Sequence, residues 1–151
     1  MIFNLEAIPW TELDRLDRLQ ALVMIPLSPI EAHGPHLPLG TDIIAAADIA
    51  AQAAARLNAE DPQRPVVLSP ALPLGCAAIT ADFSGTLSLR GSTLRAVVCD
   101  ICRAWVGHGF KNLLICNHHL DPVHMKAILS AIRLNECNLF AYAVIDHDIR
   151  Y

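Results

Sequence analysis

Apolar runs of strand length alternate with helical patterns along this chain, the order expected of a parallel α/β sheet covered by helices on both faces. Residues 21–27 (ALVMIPL) predict a strand buried on both sides, and 66–69, 112–116 and 139–145 predict three more. Residues 9–18 predict a short helix opening on Pro9 and Trp10, and 43–57 an Ala-rich helix capped by Thr41 or Asp42. A helix is expected over 92–108, with Ser92 as its cap and Gly109 as its stop. Asp121 and Pro122 open another, with Val123, Ala127, Ile128, Ala131 and Ile132 on its apolar face. Residues 76–91 predict a long loop or hairpin. The fold class implied is three-layer α/β/α with a mostly parallel sheet, in one domain over 1–151.

Composition narrows the partners. Of 151 residues, 54% are hydrophobic and 17% charged, which is apolar for a small monomer and implies a homo-oligomer or a missing covering segment. A formal charge of -4 without a basic cluster argues against nucleic acid. No apolar run reaches the roughly 18 residues of a membrane span, and the first residues carry acids rather than a signal-peptide core. Five cysteines lack a disulfide-framework spacing, and Cys99 and Cys102 fall one turn apart in an apolar-periodic stretch as core thiols. The expected location is a reducing cytoplasm. The chain ends a few residues after its fourth predicted strand, where a complete fold would continue to a covering helix.

The chemistry concentrates after two strands. In SPIEAHGPHLPLGTD (28–42), Glu31 and His33 are two apart and leave an extended chain on the same side. Asp42 opens the next helix and returns to the same crevice. Mixed carboxylate and imidazole donors suit zinc or manganese, although this segment alone is equally compatible with solvated loop residues and a helix cap. In NHHLD (117–121), His119 and Asp121 follow another strand at the same sheet edge, where open α/β folds place ligands. Two clusters after two strands favour a site over coincidence. His36 is either an orienting group or purely structural. His108 suits a helix C-terminus, His124 is expected on the helix surface, and His147 reads as a polar strand exit.

PLSPIEAHGPHLPLGTD resembles the creatininase-family signature, whose core reads Glu-x-His-Gly-x-His-Leu-Pro-Leu-Gly-Thr-Asp. DFSGTLSL (82–89) resembles its Phe-Pro-Gly-Thr element with Ser84 for proline. HGFKNLLICNHHLD resembles its His-Gly-Phe, strand and Asn-Gly-His stretch with His118 for glycine. The resemblance implies a metal-dependent amidohydrolase with two divalent ions, zinc and/or manganese. Glu31, Asp42 and His119 would bind one ion, and His33 and Asp42 the other, with Asp42 bridging. Asp121 would complete the second site and act in catalysis as a proton carrier, and Leu120 would contact the substrate.

The implied reaction is hydrolysis of a cyclic or other non-peptide C–N amide in a small molecule, by a water activated between the ions. The resemblance also implies a homo-oligomer, a hexamer among its forms. Thr80 falls near a place where relatives carry histidine. The family's later His-Gly-x-x-x-Glu-Thr-Ser-like segment, which supplies a proton shuttle, has no counterpart here. That leaves a catalytically inactive metal-binding fragment or assembly subunit as the alternative, and a metal-free α/β interaction domain as a third reading.

Overall fold

A computed structural model describes residues 1–134 and the backbone of 138–143. Cys137, His147 and positions 144–145 of the last predicted strand lie outside the described residues. The elements are β1 (Ile2–Asn4), α1 (Trp10–Leu13), β2 (Leu22–Pro26), α2 (Thr41–Glu60), β3 (Val66–Leu68), α3 (Gly91–Gly107), β4 (Asn112–Asn117), α4 (Pro122–Arg133) and β5 (Asn138–Ala143).

The five strands form one sheet in the order β1-β3-β2-β4-β5, and every pairing is parallel. Met24 stands opposite Leu68 on one side and Leu114 on the other, which fixes the register of the central strands. The pleat sends Val23, Ile25, Val67, Leu113 and Ile115 into a core with Leu94, Val98 and Cys102 of α3 and Ala127, Ile128 and Ala131 of α4. Leu22, Met24, Val66 and Cys116 meet Ala50 and Ala54 of α2 on the opposite face. The three-layer architecture follows from this double burial, and each fully buried large side chain contributes about 1.5–3 kcal/mol. Cys99 and Cys102 are buried thiols outside any disulfide, as their spacing predicts.

Several local expectations are corrected. The edge strand β1 is absent from the sequence reading; three residues are too few for a periodic signal, and pairing to Val66 makes it a strand. The helix expected over 9–18 stops at Leu13, and the Asp17 carboxylate then accepts from the Leu19 and Gln20 N–H groups in a competing turn. Gly40 occupies the cap position of α2, since the Thr41 hydroxyl donates to the Pro38 carbonyl and Asp42 turns inward. Arg90 precedes α3 without a side-chain cap, so Ser92 does not serve as one. Asp121 does cap α4, accepting from the Val123 and His124 N–H groups. The buried face of α4 is His124, Ala127, Ile128 and Ala131, which places Val123 in solvent and His124 inside. Among the described residues, no helix is long and apolar enough to cross a membrane.

This topology positions a crevice. From β2 the chain passes over one face through α2 to β3, then returns through α3, on the other face, to β4 beside β2. The segments leaving β2 and β4 therefore diverge toward opposite faces, opening the sheet at its carboxyl edge.

Candidate metal centre

The segment leaving β2 is held before it presents any ligand. The Leu27 N–H donates to the Cys116 carbonyl at 2.8 Å, and the Ser28 hydroxyl donates to Asn117 Oδ1 at 3.1 Å. Ile30 bridges Leu87 of the 76–90 loop, and the Glu31 N–H donates to the Leu39 carbonyl. Gly34 turns the chain at φ 75°, a left-handed conformation glycine adopts without cost. Glu31, His33 and Asp42 thereby bring one donor atom each to within 4.8 Å of one another.

The segment leaving β4 closes the other side. The Asn117 side-chain amide donates to the His119 carbonyl at 2.6 Å, while its Oδ1 accepts from the His119 N–H at 3.1 Å. These contacts turn the chain sharply and bring the His119 ring over Asp42. His119 Nδ1 lies 2.9 Å from Asp42 Oδ2 and 2.8 Å from Glu31 Oε1. On the other oxygen of the same carboxylate, Asp42 Oδ1 faces His33 Nε2 at 3.1 Å and His118 Nδ1 at 3.2 Å.

The outer contacts assign the ring nitrogens. A carbonyl can only accept, so His119 Nε2–H donates to the Cys76 carbonyl at 2.8 Å and His33 Nδ1–H donates to the Glu31 carbonyl at 3.1 Å. His119 Nδ1 and His33 Nε2 are left facing carboxylate oxygens. A lone pair held there against anions requires a proton or a metal cation between them. This is the arrangement of a ligating histidine, with one nitrogen tied to an outer acceptor and the other free to bind.

The charges respond accordingly. Burial alone would raise the Asp42 pKa, but hydrogen bonds from His119 and His118 and the nearby His33 hold it at about 2. Burial opposes charge on His119, yet its bond to Asp42, the Glu31 charge and the Cys76 carbonyl raise its pKa. With Asp42 only 3% exposed, an anion surrounded by three imidazoles fits the donor chemistry of zinc or manganese.

Three residues missed as site components complete this surround. The Thr80 hydroxyl donates to Glu31 Oε2 at 2.6 Å and fixes that carboxylate. His118 reaches Asp42, as above. His124, expected on the surface, is fully buried: its Nδ1 accepts from the Cys76 N–H at 3.2 Å, so Nε2–H donates to Asn117 Oδ1 at 3.1 Å. Burial, chiefly, and the neighbouring His119 hold its pKa down at about 4. A signal for His124 was present, since 124, 127, 128 and 131 share one helical face. Gly75 permits this contact, because a Cβ there would sit 2.7 Å from Pro29 Cδ and 2.8 Å from His124 Nδ1.

Asp121 and Leu120 line an open cavity of about 330 Å³ with Glu31, Ile79, Thr80 and His119. Asp121 Oδ1 accepts from the Val123 and His124 N–H groups at 2.7 and 3.0 Å. His36 is exposed and stands outside the cluster, and His108 terminates α3, as expected.

Fold and site together define an all-parallel α/β protein with a carboxylate–imidazole centre at its switch point. Residues 6–147 match the family model Creatininase, described as creatinine amidohydrolase, and the chain belongs to that family. It is 28% identical over 118 residues to the creatinine amidohydrolase of Pseudomonas putida, covering 74% of this chain and 43% of that protein. It is 36% identical over 85 residues to the mycofactocin precursor peptide peptidase of Mycobacterium tuberculosis, covering 54% and 34% respectively. The aligned stretches thus span less than half the length of these curated relatives. Among solved structures, a manganese creatininase superposes with TM-score 0.80 at 22% identity, covering 95% of this chain and 58% of that one. A putative creatinine amidohydrolase from Bacteroides fragilis gives 0.76 at 24%, covering 93% and 55%. These likenesses establish the fold, and a further similar structure is a zinc–zinc creatininase form.

Proposed function

We propose that this chain carries the two-metal centre of an amidohydrolase that cleaves a C–N amide bond. The observation that supports it most directly is His119, whose Nε2–H is spent on Cys76 while Nδ1 faces both Glu31 and Asp42. Glu31, His33, Asp42 and His119 would hold zinc or manganese ions, with Asp42 between them. Divalent ions bound there supply carbonyl polarisation and acidify a water. Thr80 holds Glu31 in place, and the Asn117 amide fixes the backbone of His119. Asp121, at the cavity wall, would carry a proton to the leaving nitrogen, and Leu120, which lines the same cavity, would contact the substrate.

Creatinine amidohydrolase among the relatives supports a cyclic, non-peptide amide. The greater identity to a peptide peptidase supports a second reading, a peptide-like substrate, and the open cavity with Ile79 81% exposed at its wall would admit an extended chain. Exposed Trp10, Ile44, Phe83 and Leu87 support burial in a homo-oligomer. Purified chain, stripped and reloaded with zinc or manganese, is expected to bind two ions and to hydrolyse members of a panel of cyclic amides and short peptides. Metal retention without turnover would leave an inactive metal-binding subunit. Failure to bind stoichiometric metal would overturn the reading.

A further inference from the structure

We infer that His118, where the family signature has glycine, is a metal ligand of this chain and takes the place expected of Asp121. The inference rests on the two-metal reading above. The donors sort around the two oxygens of Asp42. Glu31 Oε1 lies 2.8 Å from His119 Nδ1, which lies 2.9 Å from Oδ2. His33 Nε2 and His118 Nδ1 lie 3.1 and 3.2 Å from Oδ1. With Asp42 bridging, one ion takes Glu31, His119 and Oδ2, and the other takes His33, His118 and Oδ1. Each set has three protein donors, the number that leaves a coordination position open for substrate or water.

One oxygen of Asp121 is engaged elsewhere. Its Oδ1 accepts two N–H groups of the first turn of α4, and turning it toward an ion would forfeit the cap. His118 carries no such obligation. Its backbone N–H donates to the Ser28 hydroxyl at 3.0 Å, which anchors the residue beside β2, while its ring is 31% exposed and aims Nδ1 at the bridging carboxylate. A neutral ring offers a lone pair to an ion as readily as it offers N–H to Asp42.

The test compares His118→Gly, which restores the family residue, with Asp121→Asn, which keeps a competent helix cap. Zinc affinity is read by competition with a chromophoric chelator, and folding by circular dichroism. His118→Gly is expected to weaken one of two ions by about 10- to 100-fold while Asp121→Asn binds both as the parent chain does. Parent-like binding by His118→Gly would overturn the assignment and leave His118 a hydrogen-bond donor to Asp42. Weakening by Asp121→Asn alone would return the position to Asp121. Cobalt-loaded parent chain supplies a readout free of mutation. Hyperfine-shifted ring N–H resonances are expected from His33, His118 and His119, and their appearance from His33 and His119 alone would overturn the proposal. A parent chain that binds no ion would instead sink the two-metal reading.

Discussion

The segments leaving β2 and β4 contribute to one centre by different means. The first spreads its candidate ligands over twelve positions, Glu31 to Asp42, on a loop braced by backbone contacts. The second packs His118, His119 and Asp121 into four residues and relies on buried side chains, Asn117 and His124, to hold its shape. The first is a presenting loop and the second a polar core in miniature. Damage to the first should remove metal, whereas damage behind the second should remove stability as well.

The largest effect is expected at the point where the segments meet. Asp42→Ala removes the only carboxylate among the described residues that faces His33, His118 and His119 together, and elemental analysis should find metal content at background. Stoichiometric metal in that variant would refute the bridging role. Next, His124→Phe fills the same space but strands the Cys76 N–H and takes a donor from Asn117 Oδ1. Urea unfolding of the metal-free chain should show a loss of about 3 kcal/mol.

The two histidines also separate by pH. His124, with a folded pKa of about 4 against an ordinary 6.5, favours the neutral folded state. Its contribution is complete above 6.5 and fades as pH falls toward 4, by up to about 3 kcal/mol. His119, whose pKa is raised, contributes fully below its ordinary value and loses that contribution as pH rises through the folded one. Metal-free thermal melts should therefore decline on both sides of near-neutral pH, and His124→Phe should flatten the acid side only. A parallel acid slope in parent and variant would remove His124 from the account.

Smaller effects should sharpen the contrast. Thr80→Val takes the hydroxyl from Glu31 Oε2 and should weaken metal about 10-fold with little change in stability. His36→Ala, on the exposed part of the presenting loop, should leave metal affinity unchanged and stability within about 0.5 kcal/mol. A loss of metal there would give that ring a role the structure does not.

The contrast explains what the sequence could reveal. Glu31, His33 and Asp42 are close in the chain and share a motif, so their convergence was legible before any fold was known. The α/β/α layering was equally legible, because strands buried on both faces read as continuous apolar runs. His118, Thr80 and His124 owe their roles to partners far along the chain: Asp42, Glu31 and Cys76 are 76, 49 and 48 residues away. Local periodicity cannot show such pairings. The caps of α2 and α3 failed for a related reason, since Asp42 is drawn inward by the imidazoles and Arg90 meets a helix start without side-chain help.

The Ser28–Asn117 hydrogen bond, between the segment leaving β2 and the end of β4, also sets an order of events. It joins residues 89 apart, and closing a loop of that length costs on the order of 4 kcal/mol beyond its length-independent part. During synthesis, Glu31, His33 and Asp42 emerge long before β4 exists to bring His118 and His119 beside them. A nascent chain therefore offers ions only the first half of its donors. On the proposed two-metal reading, tight metal capture would await the pairing of β2 with β4, and bound metal would report that the central sheet has closed.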